Sequence, residues 1–179
     1  MLIAFIIAVA IIILDQVTKV LIYGMSESII GDFLWFESTL NTGASFGMMK
    51  NGTVFFIIVT IPMIALMIWL ICSKKFMQSK FFKASLGVVL GGTIGNLIDR
   101  IFIGGVRDFI YFKSINFAIF NVADIAITVG VVMLIVYLLI QCFVPEKDKK
   151  TEKQKEKLLD HNNDGDVEKT QNNNKNNEK

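Results

Sequence analysis

Residues 53–72, TVFFIIVTIPMIALMIWLIC, run for 20 positions without a charged side chain. A helix of that length rises about 30 Å, which matches the hydrocarbon core of a bilayer. A segment apolar on every face suits lipid far better than the surface of a soluble domain. Pro62 lies inside it and predicts a kink that neighbouring helices can absorb.

Three more apolar stretches follow the same logic, at about 3–23, 84–103 and 119–143, the last uncharged from 125 onward. Mean hydropathy is +0.55. The expected fold is an all-α membrane protein with four transmembrane helices. The first stretch lacks the basic leader and the small-residue cleavage site of a secretory signal. Its polar residues Asp15 and Lys19 are spaced i, i+4 and can pair on one helical face.

Residues 24–52 differ from the spans. Five glycines alternate with Phe33, Trp35, Phe36 and Phe46, a pattern of short strands and tight turns. A small β-cradle at the membrane surface, between helices 1 and 2, is predicted, with its aromatic rings at the interface. Residues 1–144 then form one membrane domain.

Charge is concentrated at the far end. Residues 145–179 hold nine Lys and nine Asp or Glu with few apolar side chains, so a disordered tail is expected. Asp160, Asn162, Asp164 and Gly165 match half of a calcium loop, but position twelve is Gln171, and a solvated tail is the better reading. No basic stripe with interleaved aromatics points to nucleic acid. With two cysteines, Cys72 and Cys142, and one histidine, His161 in the tail, neither a zinc site nor a His-based triad can be assembled. The chemistry falls to carboxylates, amides, hydroxyls, Lys or Arg, with no metal and no cofactor.

The connection 73–83 holds four lysines and no acid, which predicts a cytoplasmic loop. Both termini and the tail are then cytoplasmic. Asp15, Lys19, Asn96, Asp99, Arg100, Asp108, Asn121 and Asp124 all fall at the opposite, outer level. Gly92, Asn96, Asp99 and Arg100 share one helical face, as do Asn121 and Asp124. Such groups either glue helices together, line a transport path, or form a reactive site. The inner halves of the spans are apolar and no internal repeat is visible, which disfavours transport. Two close carboxylates, in contrast, share a proton, so one can activate water while the other polarises a carbonyl. Composition alone leaves open which of Asp99, Asp108 and Asp124 form the pair.

DQVTK at 15–19, NTGASFG at 41–47, GNLIDR at 95–100, VRDFI at 106–110 and FNVAD at 120–124 occur in this order. Together they make the chain, from about 5 to 143, resemble the lipoprotein signal peptidases (signal peptidase II). The resemblance implies an aspartyl endopeptidase of the bacterial cytoplasmic membrane. Such an enzyme cuts diacylglyceryl-modified prolipoproteins just before the lipidated cysteine, at the extracytoplasmic face. It implies Asp108 and Asp124 as the catalytic dyad. Asp15, Lys19, Asn41, Gly43, Asn96, Asp99, Arg100 and Asn121 are implied to orient substrate or dyad. It further implies contact with membrane lipid, inhibition by globomycin-type compounds, and a monomer. Ser45 departs from the alanine common in the family and is given no role.

Overall fold

The computed structural model describes residues 1–43, 52–73 and 79–143. The tail 145–179 with its Asp160–Gly165 stretch, most of the lysine loop, and Ser45 lie outside the described residues. The elements are α1 (Leu2–Leu21), β1 (Ser26–Ile30), β2 (Leu34–Asn41), α2 (Thr53–Cys72), α3 (Lys80–Phe102), β3 (Val106–Phe112), a 3-10 turn (Lys113–Ile115) and α4 (Val122–Phe143).

All four helices are long and apolar enough to cross a membrane. Span two has the predicted bounds. Span one ends two residues early, and span three starts at Lys80 instead of 84, because its first turn carries two lysines that hydropathy alone trims away. Span four starts at Val122 instead of 119, since Asn121 caps it and Phe120 belongs to a strand-like bridge with Ile110.

α3 is the most enclosed helix and packs chiefly on α1, with α2 also against it. The glycines of α3 make this possible. A Cβ at Gly87 would collide with the backbone of Ala4, and one at Gly91 would come within 2.8 Å of Ala8 O. Small residues on both helices thus let the backbones approach until van der Waals contact drives association in lipid. Gly92 does the same for α4, where a Cβ would strike the Ala123 carbonyl. Outward faces of α1, α2 and α4 expose Ile6, Val9, Ile13, Ile58, Leu66, Val132 and Ile135. In water that surface would be costly, whereas in lipid it needs no compensation.

The interior has two halves. Ala4, Ala8, Met67, Ile71, Phe82, Leu86, Val89 and Leu90 form an apolar core at one end. At the other end the buried polar side chains are Asp15, Lys19, Asn96, Asp99, Asp108 and Asn121, beside Val106, Phe109 and Ala123.

The predicted cradle is a three-stranded antiparallel sheet in the order β1-β2-β3. Its third strand, Val106–Phe112, comes from a segment outside the predicted cradle at 24–52, because its partner β2 lies far along the chain and the adjacent charges Arg107 and Asp108 interrupt the apolar alternation of a surface strand. Thr39 pairs with Asp108 and Asn41 with Val106. Between Phe36 and Thr39 the register slips by one residue. Such a bulge re-aims the strand's side chains near its end, here where Asn41 meets Asp108.

Candidate active site

The site is assembled from three chain segments that meet at the start of α4. Asn121 precedes the helix and accepts a hydrogen bond from the Asp124 backbone N–H at 3.0 Å. Asp124 Oδ2 in turn accepts one from the Asn121 N–H at 3.2 Å. This reciprocal pair is a capping box, with Asn in the cap position and Asp three residues on. It satisfies two helix-end donors that would otherwise be orphaned in an apolar setting.

The same Asn121 reaches across to β3. Its Nδ2 donates to Asp108 Oδ1 at 2.6 Å and to Asn96 Oδ1 at 3.1 Å. Asn96 on α3 donates from its own Nδ2 to Asp124 Oδ1 at 2.8 Å. From β2, Asn41 Nδ2 donates to Asp108 Oδ2 at 2.9 Å, while its Oδ1 accepts from the Gly43 N–H at 3.0 Å. Each carboxylate therefore accepts one hydrogen bond on each oxygen, and Asn121 is common to both.

Beneath the two carboxylates lies a buried ion cluster. Lys19 Nζ sits 2.9 Å from Asp15, 3.3 Å from Asp99 and 3.0 Å from Asn96 Oδ1. Asp15 Oδ1 accepts from the Ala123 N–H at 3.0 Å, so α1 also holds the first turn of α4. Asp99 takes the Arg107 guanidinium through both oxygens, at 2.7 and 3.2 Å, together with the Arg107 N–H at 2.9 Å. Gln16 completes the cluster by donating to Asp15, Asp99 and the Gly95 carbonyl, and by accepting from Arg107 at 2.9 Å. Two anions and two cations, all hydrogen-bonded, make the burial tolerable.

A cavity of about 650 Å³ opens over Asp108 and Asp124. Asn41, Asn96, Arg100, Asp108 and Asp124 supply its polar wall, and Phe56, Val106, Ile125, Val129 and the strip Phe117–Phe120 supply its apolar wall. Arg100 stacks on Phe56 with 4.9 Å between guanidinium and ring centroid. It makes no ion pair among the described residues, and Asp124, Asp108 and Asp99 all act on it electrostatically. Burial pushes the Asp108 carboxyl up to about 6. Nearby Asp124 adds to that shift, while Asn41, Asn121 and Lys19 oppose it.

This geometry brings a buried carboxyl group, Asp108, and a half-buried one, Asp124, to one cavity with a large apolar wall, an arrangement suited to acid–base hydrolysis without a metal. The family described as signal peptidase (SPase) II matches residues 7–140. The chain belongs to the signal peptidase II family. It is therefore an aspartic peptidase of the membrane, crossing it several times and acting on prolipoprotein signal peptides. Two solved structures agree, both bacterial membrane enzymes determined by the in meso method. One, at 2.3 Å resolution, has a TM-score of 0.71 and 33% identity, covering 78% of this chain and 89% of that chain. The other, at 1.9 Å, has a TM-score of 0.67 and 34% identity, covering 76% and 92%.

All ten site residues expected from sequence fall in this one assembly. Asp108, Asp124, Asn41, Gly43, Asn96 and Arg100 line the signal peptidase cavity. Asp15, Lys19 and Asp99 lie behind it, and Asn121 joins the two carboxylates. Gln16, Arg107 and Phe56 were missed. Gln16 is the one strongly polar neighbour of Asp15 inside an apolar run, which could have marked it. Arg107 adjoins Asp108 and reads as an ordinary loop cation. Nothing in the sequence marks Phe56, one apolar residue among twenty in its span.

Proposed function

We propose that Asp108 and Asp124 are the catalytic dyad and that the enzyme cuts diacylglyceryl-prolipoprotein just before the lipidated cysteine. The observation that carries this is the pair of carboxyl groups, Asp108 buried and Asp124 half-buried, joined through Asn121 at one largely apolar cavity. Asp108, which retains a proton more readily than a free carboxyl, is assigned as the acid. Asp124, at the positive end of α4, is the base. Water loses a proton to Asp124 and attacks the scissile carbonyl carbon, whose oxygen accepts a hydrogen bond from Asp108. The tetrahedral intermediate collapses as the C–N bond breaks and the leaving amine takes the proton from Asp124. Asp108 keeps its proton throughout, so the dyad is left as it began, with one proton, and the acid product ionises to solvent.

The apolar wall suits both a signal peptide and acyl chains, and a globomycin-type inhibitor would compete for it. Lys80 and Lys83 in the first turn of α3, with the lysines before them, support a cytoplasmic location for that end of the bundle. The dyad then lies at the extracytoplasmic face, both termini lie inside, and residues 145–179 form a cytoplasmic tail on a monomeric membrane domain, 1–144.

The test is a gel-shift assay of purified enzyme with a diacylated prolipoprotein. Wild type should release the signal peptide. Asp108→Asn and Asp124→Asn should each lose at least about 10³-fold while accumulating normally, since the pair acts as a unit. Cleavage near the wild-type rate by either variant would refute the dyad.

A further inference from the structure

Arg107 takes part in none of the steps above, yet its side chain makes three hydrogen bonds beneath the dyad, two of them to the Asp99 carboxylate. It is the residue immediately before Asp108. On a strand, neighbours point to opposite faces, so the contacts of Arg107 hold the backbone from behind while Asp108 faces the cavity.

We propose that Arg107 is a positioning residue for the dyad, pinning the start of β3 to Asp99 and Gln16 and balancing the charge behind the two carboxylates. Asp15 and Asp99 are matched by Lys19 and Arg107. Without the guanidinium, Lys19 alone would answer both anions. Lys19 also holds Asn96 Oδ1, and Asn96 holds Asp124, so a shift of the ammonium reaches the second carboxylate too. The groups facing Asp108 are Asn41 from β2, Asn121 and Asp124 from the start of α4, Asn96 and Arg100 from α3, and Lys19 from α1. Loss of one positive charge behind this set leaves a net negative field that makes Asp108 hold its proton to higher pH.

This inference rests on the dyad reading, and the experiment separates the two. Full-length Arg107→Gln, Arg107→Lys and Asp108→Asn are purified in detergent. Their folded fraction is measured by thermal unfolding, and kcat and KM for a diacylated prolipoprotein are followed across pH. Arg107→Gln should lower kcat per folded enzyme by about 10–100-fold, the scale of an ångström-level misplacement, with KM little changed. Its alkaline limb should move upward by about half a unit. Arg107→Lys keeps the charge but cannot span both oxygens of Asp99 and Gln16. It should keep the wild-type limb, fold even if Arg107→Gln does not, and lose about 10-fold in kcat. Wild-type kcat in Arg107→Lys, or activity in Arg107→Gln that falls only with the folded fraction and with an unmoved limb, would overturn the proposal. Cleavage by Asp108→Asn would instead overturn the dyad itself.

Discussion

Asn121 and Asp124 hold each other by reciprocal backbone-to-side-chain hydrogen bonds at 3.0 and 3.2 Å, and the Asn121 amide then reaches Asp108 at 2.6 Å. A device that normally ends a helix here also sets the distance and orientation between two carboxyl groups. Helix stability and dyad geometry are therefore coupled through one residue.

That coupling can be pulled apart. Ser at position 121 can still cap α4 but cannot reach Asp108. Asn121→Ser should leave stability within about 0.5 kcal/mol while activity falls by about 100-fold or more. Asn121→Ala should lose the activity and also about 1 kcal/mol of stability. Parallel unfolding and gel-shift measurements on the two variants decide it; equal destabilisation would show that the cap is not what Asn121 contributes.

The pH dependence follows from the position of Asp108. Its proton is held up to about 6, against an ordinary 3.8. Below the higher value the dyad carries the one proton it needs, and above it that proton is lost. kcat/KM, which reports the free enzyme, should thus fall as pH rises through about 6. The stability term has the same sign: the folded state binds the extra proton between 3.8 and about 6, so this contribution declines as pH rises through that window. Asn41→Ala removes a donor that favours the ionised form, and should move the limb upward. A pH–rate series on both enzymes measures it, and a downward shift would contradict the assignment.

Gly95 tests the close approach of α3 to the ion cluster. A Cβ there would lie 2.5 Å from Asp15 Oδ2. Asp15 cannot yield easily, because Lys19, Gln16 and the Ala123 N–H hold it. Gly95→Ala should cost about 1–3 kcal/mol in thermal unfolding, and cleavage should weaken as the first turn of α4 is displaced.

Lys19 carries the largest stability effect. Lys19→Met leaves Asp15 with no cation and Asp99 with only Arg107. Removing one partner of a buried pair costs about 3–5 kcal/mol, so the variant should be depleted from membranes. Lys19→Met combined with Asp15→Asn removes both charges and should recover part of that loss. Immunoblots of membrane fractions with unfolding curves provide the check; full accumulation of Lys19→Met alone would mean the cluster adds little stability.

The spans were legible because lipid imposes a demand that sequence shows directly: about 20 apolar residues with every backbone group bonded within the helix. Span two therefore has the bounds read from hydropathy, whereas span four does not, since its start depends on a cap and on the bridge from Phe120 to Ile110. Strand β3 was not legible. Its pairing partner β2 lies more than 60 residues away, and its Arg107 is held by Gln16 of α1 and Asp99 of α3, which no local pattern records.

By itself, then, the sequence determined that four helices cross a membrane and that a few polar residues gather at one level, because hydropathy is a property of each segment alone. The motif resemblance singled out Asp108 and Asp124 from three aspartates. Only the tertiary structure decided how they meet. It gave Asp99 to Arg107 and Lys19, Asp124 to the α4 cap, and Asp108 to Asn41 and Asn121. The reason is physical: a carboxylate's role depends on which donors and charges surround it, and those arrive from three helices and a sheet brought together by folding.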